Sequence, residues 1–311
     1  MDDYEQKSCP RCHFSDIKKN GHKRHRQRYK CRLCNHEWLD GRGGTRKNYC
    51  RYYLEWLHGR RTLAEISNTL SMSLPTLQKH FDALDFPEGL LVPAPSESIN
   101  LIVDATFFGR DYGFLCFHDT RRVIWFCEIR TESVRHLREG LRTLLEVGYT
   151  FKSVTIDGRR GYMQAIRKLL GPVPIQMCLY HQKAIVRRYI SDRPQSQAGQ
   201  ELQALMQRLC FAEPDVFVDA FYRWKTEHRC FLEARNAQRD YAHQNLRAAA
   251  RSVQENLHAL FTYKDIPDAG IPPTINHLEG MFAHLKERIK CHRGLSPHRK
   301  KKAVRAFLST F

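Results

Sequence analysis

An aspartate lies inside a stretch of the sequence that otherwise predicts a buried β-strand. The segment LIVDATFFG, residues 101–109, is almost continuously apolar, which is typical of a strand that is covered on both faces. An unpaired carboxylate in such a strand is costly unless a cation or hydrogen bonds compensate its charge. Asp104 therefore indicates that a compensating group lies close to it in the folded protein.

A second acid, Asp157, ends the predicted strand KSVTID. From residue 100 onward the pattern predicts three successive strands, then helix, strand, helix, strand and helix. This is the element order of a ribonuclease-H-like fold, a mixed five-stranded sheet with helices, in which the fourth strand pairs parallel to the first. That pairing would bring Asp157 beside Asp104. Two neighbouring carboxylates repel each other strongly unless divalent cations occupy the space between them.

A third acid, Glu279, lies in a predicted helix near the end of the sequence. The apolar stripe of this helix consists of Ile275, Leu278, Phe282, Leu285 and Ile289. At about 100° per residue, Glu279 falls on the border of the stripe, where a carboxylate is again costly without a cation. Glu279 can therefore complete a three-acid metal site with Asp104 and Asp157. Helix geometry alone leaves open an ordinary salt bridge from Glu279 to Lys286 or Arg288.

The other acids of this region fit a structural role better. Glu128 lies late in the third predicted strand and is a weak further candidate for the metal site. The acids expected to be solvated or to cap helices are Asp111, Asp119, Glu132 and Glu139.

Two C-x-x-C pairs near the amino terminus have the spacing of a zinc site. The four cysteines are Cys9, Cys12, Cys31 and Cys34. Their arrangement suits tetrahedral binding of one Zn²⁺ by four thiolates in a zinc ribbon. The residues between the pairs are rich in Lys, Arg and His, and the candidates for phosphate contact are Lys23, Arg24, Arg26 and Arg28. The alternative is a zinc-stabilised domain that binds nothing.

Residues 50–83 predict a short helical segment followed by two short helices that are joined by LSMS. Thr62 is the predicted cap of the first of these two helices and Ser73 of the second. Such a pair is typical of a helix-turn-helix, whose second helix enters the major groove of DNA. The outward side chains of that helix would be Thr76, Gln78, Lys79 and His80. Helix pairs also occur in proteins that never touch DNA, and the adjacent basic ribbon favours the DNA-binding interpretation.

The composition is that of a globular protein of several domains with a polyanionic partner. The chain has 311 residues, 42% of them hydrophobic, and a formal net charge of +18 that is spread over several segments, which favours nucleic acid over a membrane surface. Eleven cysteines in a reducing compartment would be thiols or metal ligands. No apolar run approaches the length of a membrane span, and the acidic start lacks the apolar stretch of a signal peptide, so a cytoplasmic location is expected.

The predicted organisation is a multidomain α/β protein. The linker is rich in Pro and Ser, and the insertion shows helical spacing throughout. In chain order, the predicted segments are a zinc ribbon (1–45), a helix-turn-helix domain (46–86), a linker (87–98), the first part of the ribonuclease-H-like core (99–192), a helical insertion (193–270), and the last part of the core with the Glu279 helix and a basic tail (271–311).

The order of these motifs resembles DDE-type transposases of bacterial insertion sequences, and it looks closest to the Mutator-like branch in its variant with an amino-terminal zinc ribbon. The resemblance covers nearly the whole chain, and its most specific pieces are DATFF, TIDG, CLYHQ and TINHLEG. It implies that Asp104, Asp157 and Glu279 are the D, D and E ligands of two catalytic Mg²⁺ or Mn²⁺ ions. Cys178 and His181 match the family's C-x-x-H signature, for which a structural or DNA-contacting role near the active site is expected.

The resemblance also implies an activity and its partners. The protein would cleave and join DNA strands, bind the terminal inverted repeats of its element and the target DNA, and assemble as a homo-oligomer on paired DNA ends. The basic tail, including Arg293, Arg299 and Lys300, and the insertion would contact phosphates; a solvated helix end is the alternative for the tail. A catalytically silent DNA-binding regulator and a nuclease without strand transfer are the competing functions.

Overall fold

The computed structural model describes residues 8–12, 14–23, 25–39 and 48–310. They form two compact units. The first unit consists of the chain up to Ala94, of Arg121–Glu128 and of the residues from Gly280 onward; the second consists of Pro95–Thr120 and Ile129–Glu279. The finer domain boundaries inferred from the sequence stay predictions.

The amino-terminal part of the first unit is a three-stranded antiparallel sheet. Its strands are β1 (Ile17–Lys23), β2 (Arg26–Cys31) and β3 (Glu37–Leu39). Tyr29 of β2 stacks on Trp38 of β3, with ring centroids 5.8 Å apart. Of the side chains described in this part, Cys9, Tyr29 and Cys31 are the buried apolar ones. A core this small needs a further constraint such as a metal ion to remain folded.

Three short helices follow in the same unit. They are α1 (Tyr49–Leu57), α2 (Leu63–Leu70) and α3 (Leu74–Asp82). The Thr62 hydroxyl accepts a hydrogen bond from the backbone N–H of Glu65, and the Glu65 carboxylate accepts one from the N–H of Thr62, which makes a capping box at the start of α2. The Ser73 hydroxyl accepts from the N–H of Thr76 at the start of α3. Both predicted caps are confirmed.

The largest sheet of the protein is mixed and six-stranded. Its strands are β4 (Gly89–Leu90), β5 (Ile99–Phe108), β6 (Tyr112–His118), β7 (Val123–Ile129), β8 (Phe151–Ile156) and β9 (Ile175–Met177). The spatial order is β4-β7-β6-β5-β8-β9, and β5 runs antiparallel to β6 and parallel to β8. The prediction of five strands is therefore wrong by one. The additional strand, β4, lies inside the predicted linker, and its two residues are too few to show a periodic pattern.

Helices connect the strands of the second unit in the predicted order. They are α4 (Val134–Glu146), α5 (Tyr162–Leu170) and α6 (Leu179–Ile190). On α4, apolar residues recur at helical spacing, and Leu137, Leu141 and Leu144 are fully buried. The alternation of strands and helices that was expected between residues 133 and 190 is confirmed.

The predicted helical insertion consists of helices that share one core, to which Met177 of β9 and Leu179 and Val186 of α6 also belong. They are α7 (Gln197–Arg208), α8 (Pro214–Glu227), α9 (Arg229–Glu233), α10 (Gln244–Leu260) and α11 (Thr262–Asp265). Phe217, Phe221 and Trp224 of α8 are buried in this core, and the Trp224 indole N–H donates to the carbonyl of Ala198 at 3.0 Å. The buried indole therefore has the hydrogen-bond partner that it needs.

Two helices complete the chain, α12 (Asn276–Cys291) and α13 (Pro297–Leu308). The stripe predicted for α12 is buried throughout: Ile275, Leu278, Phe282, Leu285 and Ile289. Pro297 occupies the first turn of α13, where its missing N–H costs nothing, and Ser296 is the cap. Across the ranges that the structure describes, no helix combines the length and apolar character that crossing a bilayer requires.

Candidate active site and metal centre

Asp104 lies in β5, and Asp157 directly follows the last residue of the neighbouring parallel strand β8. The ladder between β5 and β8 pairs Ile102 with Thr155. Asp104 comes two residues after Ile102, and Asp157 comes two residues after Thr155. Because side chains alternate between the two faces of a sheet, both carboxylates are expected on the face that carries Ile102 and Thr155. The structure therefore brings together the two acids that the sequence predicted to be neighbours.

The environment of Asp104 is unfavourable for a lone negative charge. Asp104 is only 8% exposed. Burial raises the pKa of its carboxyl group well above the usual range, and the nearby carboxylates of Asp157, Glu132 and Glu279 raise it further, against an opposing hydrogen bond from the N–H of Ala105. A group in this position is stable as an anion only if a cation compensates it. A bound divalent cation would reverse this pKa shift.

A row of polar side chains anchors the segment that leads to Glu279. The Asn100 side-chain amide donates to the carbonyls of Ala269 at 2.9 Å and Gly270 at 3.0 Å. The Ser153 hydroxyl donates to Oδ1 of Asn100 at 2.8 Å and thereby fixes the orientation of the amide. These bonds hold the turn that precedes α12 against β5 and β8.

The same row continues toward the acids. The Thr155 hydroxyl donates to the carbonyl of Pro272 at 2.9 Å. Ser153 and Thr155 are fully buried and lie on the sheet face that carries Asp157, because the side chains of a strand alternate with a period of two. A buried hydrogen bond of this kind costs about 1–3 kcal/mol when one partner is removed, so the turn before Glu279 is held firmly.

The C-x-x-H motif connects the end of β8 with the start of α12. The backbone N–H of Cys178 donates to the carbonyl of Ile156 at 2.8 Å, and that of Leu179 donates to the carbonyl of Pro273 at 3.1 Å. Ile156 directly precedes Asp157, and Pro273 lies three residues before α12. The motif therefore fixes the separation between the segments that carry the second and the third acid.

The side chain of Cys178 is a neutral thiol in this setting. Burial raises its pKa to about 11, although the backbone N–H groups of His181, Ile275 and Tyr180 act in the opposite direction, and the nearby Glu279 raises it further. The residue is completely buried. A neutral buried thiol fits the expected structural role.

His181 lies directly beside Glu279. Its Nδ1 atom is 3.5 Å from Oε1 of Glu279, and this nitrogen is buried without a hydrogen-bond partner among the described residues. The Glu279 side chain is 42% exposed, so a ligand can reach it. Glu279 does not form the alternative salt bridge to Arg288, because Nε of Arg288 donates to Nε2 of His284 at 3.0 Å.

Glu132 is a fourth acid at this site, and the prediction that it is a solvated or capping residue is wrong. Its side chain is 8% exposed, and Nη1 of Arg159 donates to its Oε2 at 3.1 Å. The backbone N–H of Arg159 in turn donates to Oδ1 of Asp157 at 2.9 Å. Burial raises the pKa of Glu132, and the charge of Asp157 raises it further. Arg159 thus links the fourth acid to the second.

Among the described residues, the candidate acids are not gathered into a group tight enough for one small ion. Within the described part of the chain, only the four cysteines form a group of three or more potential ligands with all donor atoms within 4.8 Å. Two cations about 3.5–4 Å apart, each bound by oxygen at about 2.0–2.1 Å, allow their outer ligands to lie up to about 8 Å apart. Asp104 lies close enough to Asp157 and Glu279 for both of their charges to act on it. An all-oxygen ligand set suits Mg²⁺ or Mn²⁺.

The four predicted zinc ligands do cluster. Cys9 Sγ lies 3.6 Å from Cys34 Sγ, and Cys12 Sγ lies 3.5 Å from Cys31 Sγ. Tetrahedral Zn²⁺ with bonds of about 2.3 Å separates its sulfurs by about 3.8 Å, close to these values. Burial raises the pKa values of Cys9 and Cys12, so a cation would be needed to keep them as thiolates. The cluster can hold one zinc ion.

Glu128 does not join the acidic site. Its carboxylate pairs with Nζ of Lys301 at 2.5 Å and with Nη2 of Arg305 at 3.0 Å. Its backbone N–H donates to Oε2 of Glu88 at 2.6 Å. The structure gives Glu128 a role inside the first unit and not a role as metal ligand.

The candidate phosphate contacts of the ribbon differ in their surroundings. Lys23 and Arg26 are exposed at the β1–β2 turn. Arg28 is half-buried and its Nη1 lies 3.5 Å from Oε2 of Glu37, so it serves the ribbon itself. Arg24 lies outside the described residues.

The four candidates on α3 also divide into two groups. Thr76 and Lys79 are exposed and one turn apart, so they share one face of the helix. Gln78 is half-buried, and His80 stacks on Tyr49 with ring centroids 4.1 Å apart. Thr76 and Lys79 are therefore the pair with the freer access to a ligand.

The basic tail is largely engaged within the first unit. Arg299 donates from Nε and Nη2 to the two carboxylate oxygens of Asp82, at 2.9 and 2.6 Å. This hydrogen bonding lowers the pKa of Asp82. The Lys302 amine donates to backbone carbonyls at the end of α3, which leaves Arg293, exposed, and Lys300, half-buried, as candidates for phosphate contact.

No protein-family model and no curated protein sequence matches this chain. Among solved structures, the chain is similar to the Drosophila P element transposase strand transfer complex, with a TM-score of 0.45 and 11% sequence identity over 86% of this chain and 92% of that chain. A similarity of this extent leaves the function to be argued from the site itself.

Proposed function

We propose that this protein is a DDE-type DNA transposase with a ribonuclease-H-like core, which catalyses metal-dependent cleavage and joining of DNA strands. The observation that carries the proposal is the convergence of Asp104, Asp157 and Glu279. Asp104 lies in β5, Asp157 directly follows the adjacent parallel strand β8, and Glu279 lies in the first turn of α12, whose preceding segment is hydrogen-bonded to both strands. A buried carboxyl group with a raised pKa that lies close to other acids, as Asp104 does, is characteristic of sites that bind catalytic cations.

Asp104 would contact both of two Mg²⁺ or Mn²⁺ ions, Asp157 would hold one of them, and Glu279 the other. When bound, such ions activate the attacking oxygen and stabilise the leaving oxygen of an in-line displacement at phosphorus. The chain itself supplies the placement of the ligands. The hydrogen bonds of Asn100 and Thr155 fix the approach of α12, and Arg159 orients Asp157 through its backbone N–H.

His181 acts as a positioning residue for Glu279 in this proposal. A protonated Nδ1 can donate to Oε1 of Glu279 and leave Oε2 for a metal ion. Hydrogen bonds from a second layer of residues commonly fix metal-binding carboxylates in this way. The proximity of the two groups, 3.5 Å, and the lack of another partner for Nδ1 among the described residues support the role.

The first unit would recognise DNA. One Zn²⁺ on the four cysteines would fold the ribbon, Lys23 and Arg26 would contact phosphates, and Thr76 and Lys79 of α3 would face the major groove. The DNA sites would be the terminal inverted repeats and the target, bound by a homo-oligomer in the cytoplasm. On the resemblance that the motifs carry, the protein would be an insertion-sequence transposase of the Mutator-like branch.

The decisive experiment is an excision and integration assay in cells, with the native flanking DNA as donor. It compares the wild type with Glu279→Gln, which is nearly isosteric and removes the metal-binding charge, and with Glu287→Gln, an exposed position on the same helix. We expect Glu279→Gln to lose both products while retaining DNA binding, and Glu287→Gln to keep them.

Other outcomes assign a different function. Equal activity of the wild type and of Glu279→Gln would show that the third ligand lies elsewhere. DNA binding by all three proteins without any product would indicate a regulator. Cut ends that are never joined would indicate a nuclease without strand transfer.

A further inference from the structure

The helical insertion contains a pocket of about 160 Å³ whose lining is strongly basic. The charged side chains that line it are Lys225, Arg229, Arg247, Arg251 and Glu233. Four cations and one acid give the lining a formal charge of +3. None of the acids of the candidate active site belongs to this lining, so the pocket is a separate feature of the second unit.

Arg247 is held in place without being neutralised. Its Nη1 donates to the carbonyl of Leu232 at 2.9 Å, and its guanidinium carbon lies 3.4 Å from the ring centroid of Tyr241. The guanidinium carbon of Arg235 lies 3.5 Å from the same centroid. Two guanidinium groups this close to one ring must lie on opposite faces of it. Stacking on the ring fixes the positions of both guanidinium groups, and neither group is paired with a carboxylate there.

The other cations are also oriented without full compensation. Nζ of Lys225 donates to Oε1 of Gln254 at 2.6 Å, which is a neutral partner. Arg229 pairs with Glu233 at 3.2 Å, but both side chains are more than half exposed, and exposed pairs contribute little. Arg251 is exposed, and no carboxylate within the described ranges pairs with it.

This arrangement is electrostatically unfavourable for the protein alone. Arg247 and Arg251 are four residues apart on α10, and like charges at this spacing destabilise a helix. Lys225 and Arg229 face the same pocket from α8 and α9. A bound anion would offset the repulsion, much as a cation would offset the repulsion among the three acids.

We propose that this pocket binds backbone phosphates of double-stranded DNA, an assignment of partner that rests on the proposed function. A single phosphate ion at so open a site would be screened by salt and held weakly. A duplex presents many phosphates, releases counterions on binding, and therefore gains from each fixed cation. The guanidinium forks of Arg229 and Arg251 suit paired phosphate oxygens.

Side-chain hydrogen bonds connect α10, which lines the pocket, to α6. The side-chain amide of Asn256 donates to Oε1 of Gln182 at 2.7 Å, and Nε2 of Gln182 donates to the hydroxyl of Ser252 at 3.2 Å. These bonds join α10 to α6, the helix that begins with the C-x-x-H motif. DNA bound at the pocket would therefore contact α10, the helix that packs against α6.

The test is the salt dependence of binding of the full chain to a short duplex of mixed sequence, in buffer with zinc but without magnesium or manganese. The double variant Lys225→Gln/Arg251→Gln is compared with Arg142→Gln/Lys168→Gln, which removes the same charge from exposed positions on α4 and α5. We expect the slope of log K against log salt to become shallower by about 1–2 in the pocket variant, since each lost phosphate contact contributes about 0.9. The control variant should keep the wild-type slope.

Three results would overturn the proposal. The slope could be unchanged in the pocket variant, it could fall equally in the control, or inorganic phosphate and pyrophosphate could saturate the pocket in calorimetry while duplex binding ignores the substitutions. The last result would assign a small-anion site.

Thermal unfolding of both variants checks that they are folded, and Arg251→Glu alone repeats the test with one exposed change. Because no step requires cleavage, pocket-dependent DNA binding by a protein that cuts nothing would contradict the proposed activity and leave the pocket assignment standing.

Discussion

His181 Nδ1 lies 3.5 Å from Oε1 of Glu279, where the first turn of α6 meets the first turn of α12. The two residues are almost one hundred positions apart in the sequence, and backbone hydrogen bonds of Cys178 and Leu179 create the contact. The C-x-x-H motif therefore has a physical explanation that needs no zinc ion. Its cysteine is buried in the junction between strand and helix, and its histidine reaches the third acid.

The first prediction concerns this pair. His181→Leu should weaken Mn²⁺ binding by about 10–100-fold, the usual cost of removing a second-layer partner of a metal ligand. His181→Asn should restore most of the affinity, because the Asn amide nitrogen can occupy the position of Nδ1. The measurement is calorimetric titration with Mn²⁺ of protein whose ribbon is loaded with zinc.

The conservative variant separates positioning from folding. If His181 only filled space, Leu would be tolerated better than Asn, and Mn²⁺ affinity would follow the melting temperature. Equal Mn²⁺ affinity in the wild type, His181→Leu and His181→Asn would exclude a positioning role. An absence of Mn²⁺ binding in the wild type would instead contradict the proposed catalytic site.

The second prediction concerns Asn100. Asn100→Ala removes the donor to Ala269 and Gly270 and leaves the Ser153 hydroxyl without its acceptor, so the free energy of unfolding should fall by about 1–3 kcal/mol. Strand cleavage should fall by a larger factor than stability alone explains, because the turn before Glu279 is released. Urea unfolding and a cleavage assay at saturating DNA measure the two effects. Asn245→Ala, at an exposed position, should change neither, and cleavage that merely follows stability would contradict the tether.

The sequence indicates the three acids by their positions in the pattern and by the resemblance that their motifs carry, and their role as metal ligands stays a prediction. Asp104 interrupts an apolar strand, Asp157 ends another, and Glu279 borders a buried stripe. Glu132 gives no such signal, since it lies just before α4, in the position of an ordinary capping acid. Its burial depends on Arg159, a residue 27 positions away, and no local pattern reports that contact.

The sequence also does not show which charged side chains form ion pairs with each other. The tail looks like a basic patch, yet Arg299 is bound by Asp82, more than two hundred residues earlier. A cation in a stable ion pair and a cation awaiting phosphate have the same appearance in a sequence. The tethers of Asn100 are equally invisible, because an Asn in a strand acquires its partners only once the register of β5 and β8 is set.

The third prediction concerns pH and the buried His118. Burial, opposed by the charge of Asp119 and assisted by His277, lowers its pKa to about 4. The unfolded chain binds a proton on this residue below about pH 6.5 and the folded chain does not, so stability is complete above that pH and falls by about 1.4 kcal/mol per pH unit as the pH drops toward 4.

His118→Asn tests this directly. The Asn side-chain oxygen can replace Nδ1 as acceptor of the Thr120 N–H, which lies at 3.0 Å, but it does not titrate. The difference in unfolding free energy between wild type and variant, measured by urea denaturation from about pH 4 to pH 7.5, should slope with pH only below about 6.5. A difference that stays constant with pH would mean that His118 titrates normally in the folded protein.

The fourth prediction concerns the ribbon. Metal binding contributes about 10–16 kcal/mol to the folding of small zinc domains, far more than a core built on Tyr29 can supply. Cys31→Ser should therefore abolish binding of one zinc per chain, unfold the ribbon as seen by amide exchange, and weaken DNA binding. Cys230→Ser, at an exposed cysteine of the insertion, is the matched control and should change none of these. The second unit should keep its amide protection in both variants.

Protein that is purified without zinc and yet shows a protected ribbon would contradict the metal centre, because the sulfurs would then be held together by packing alone.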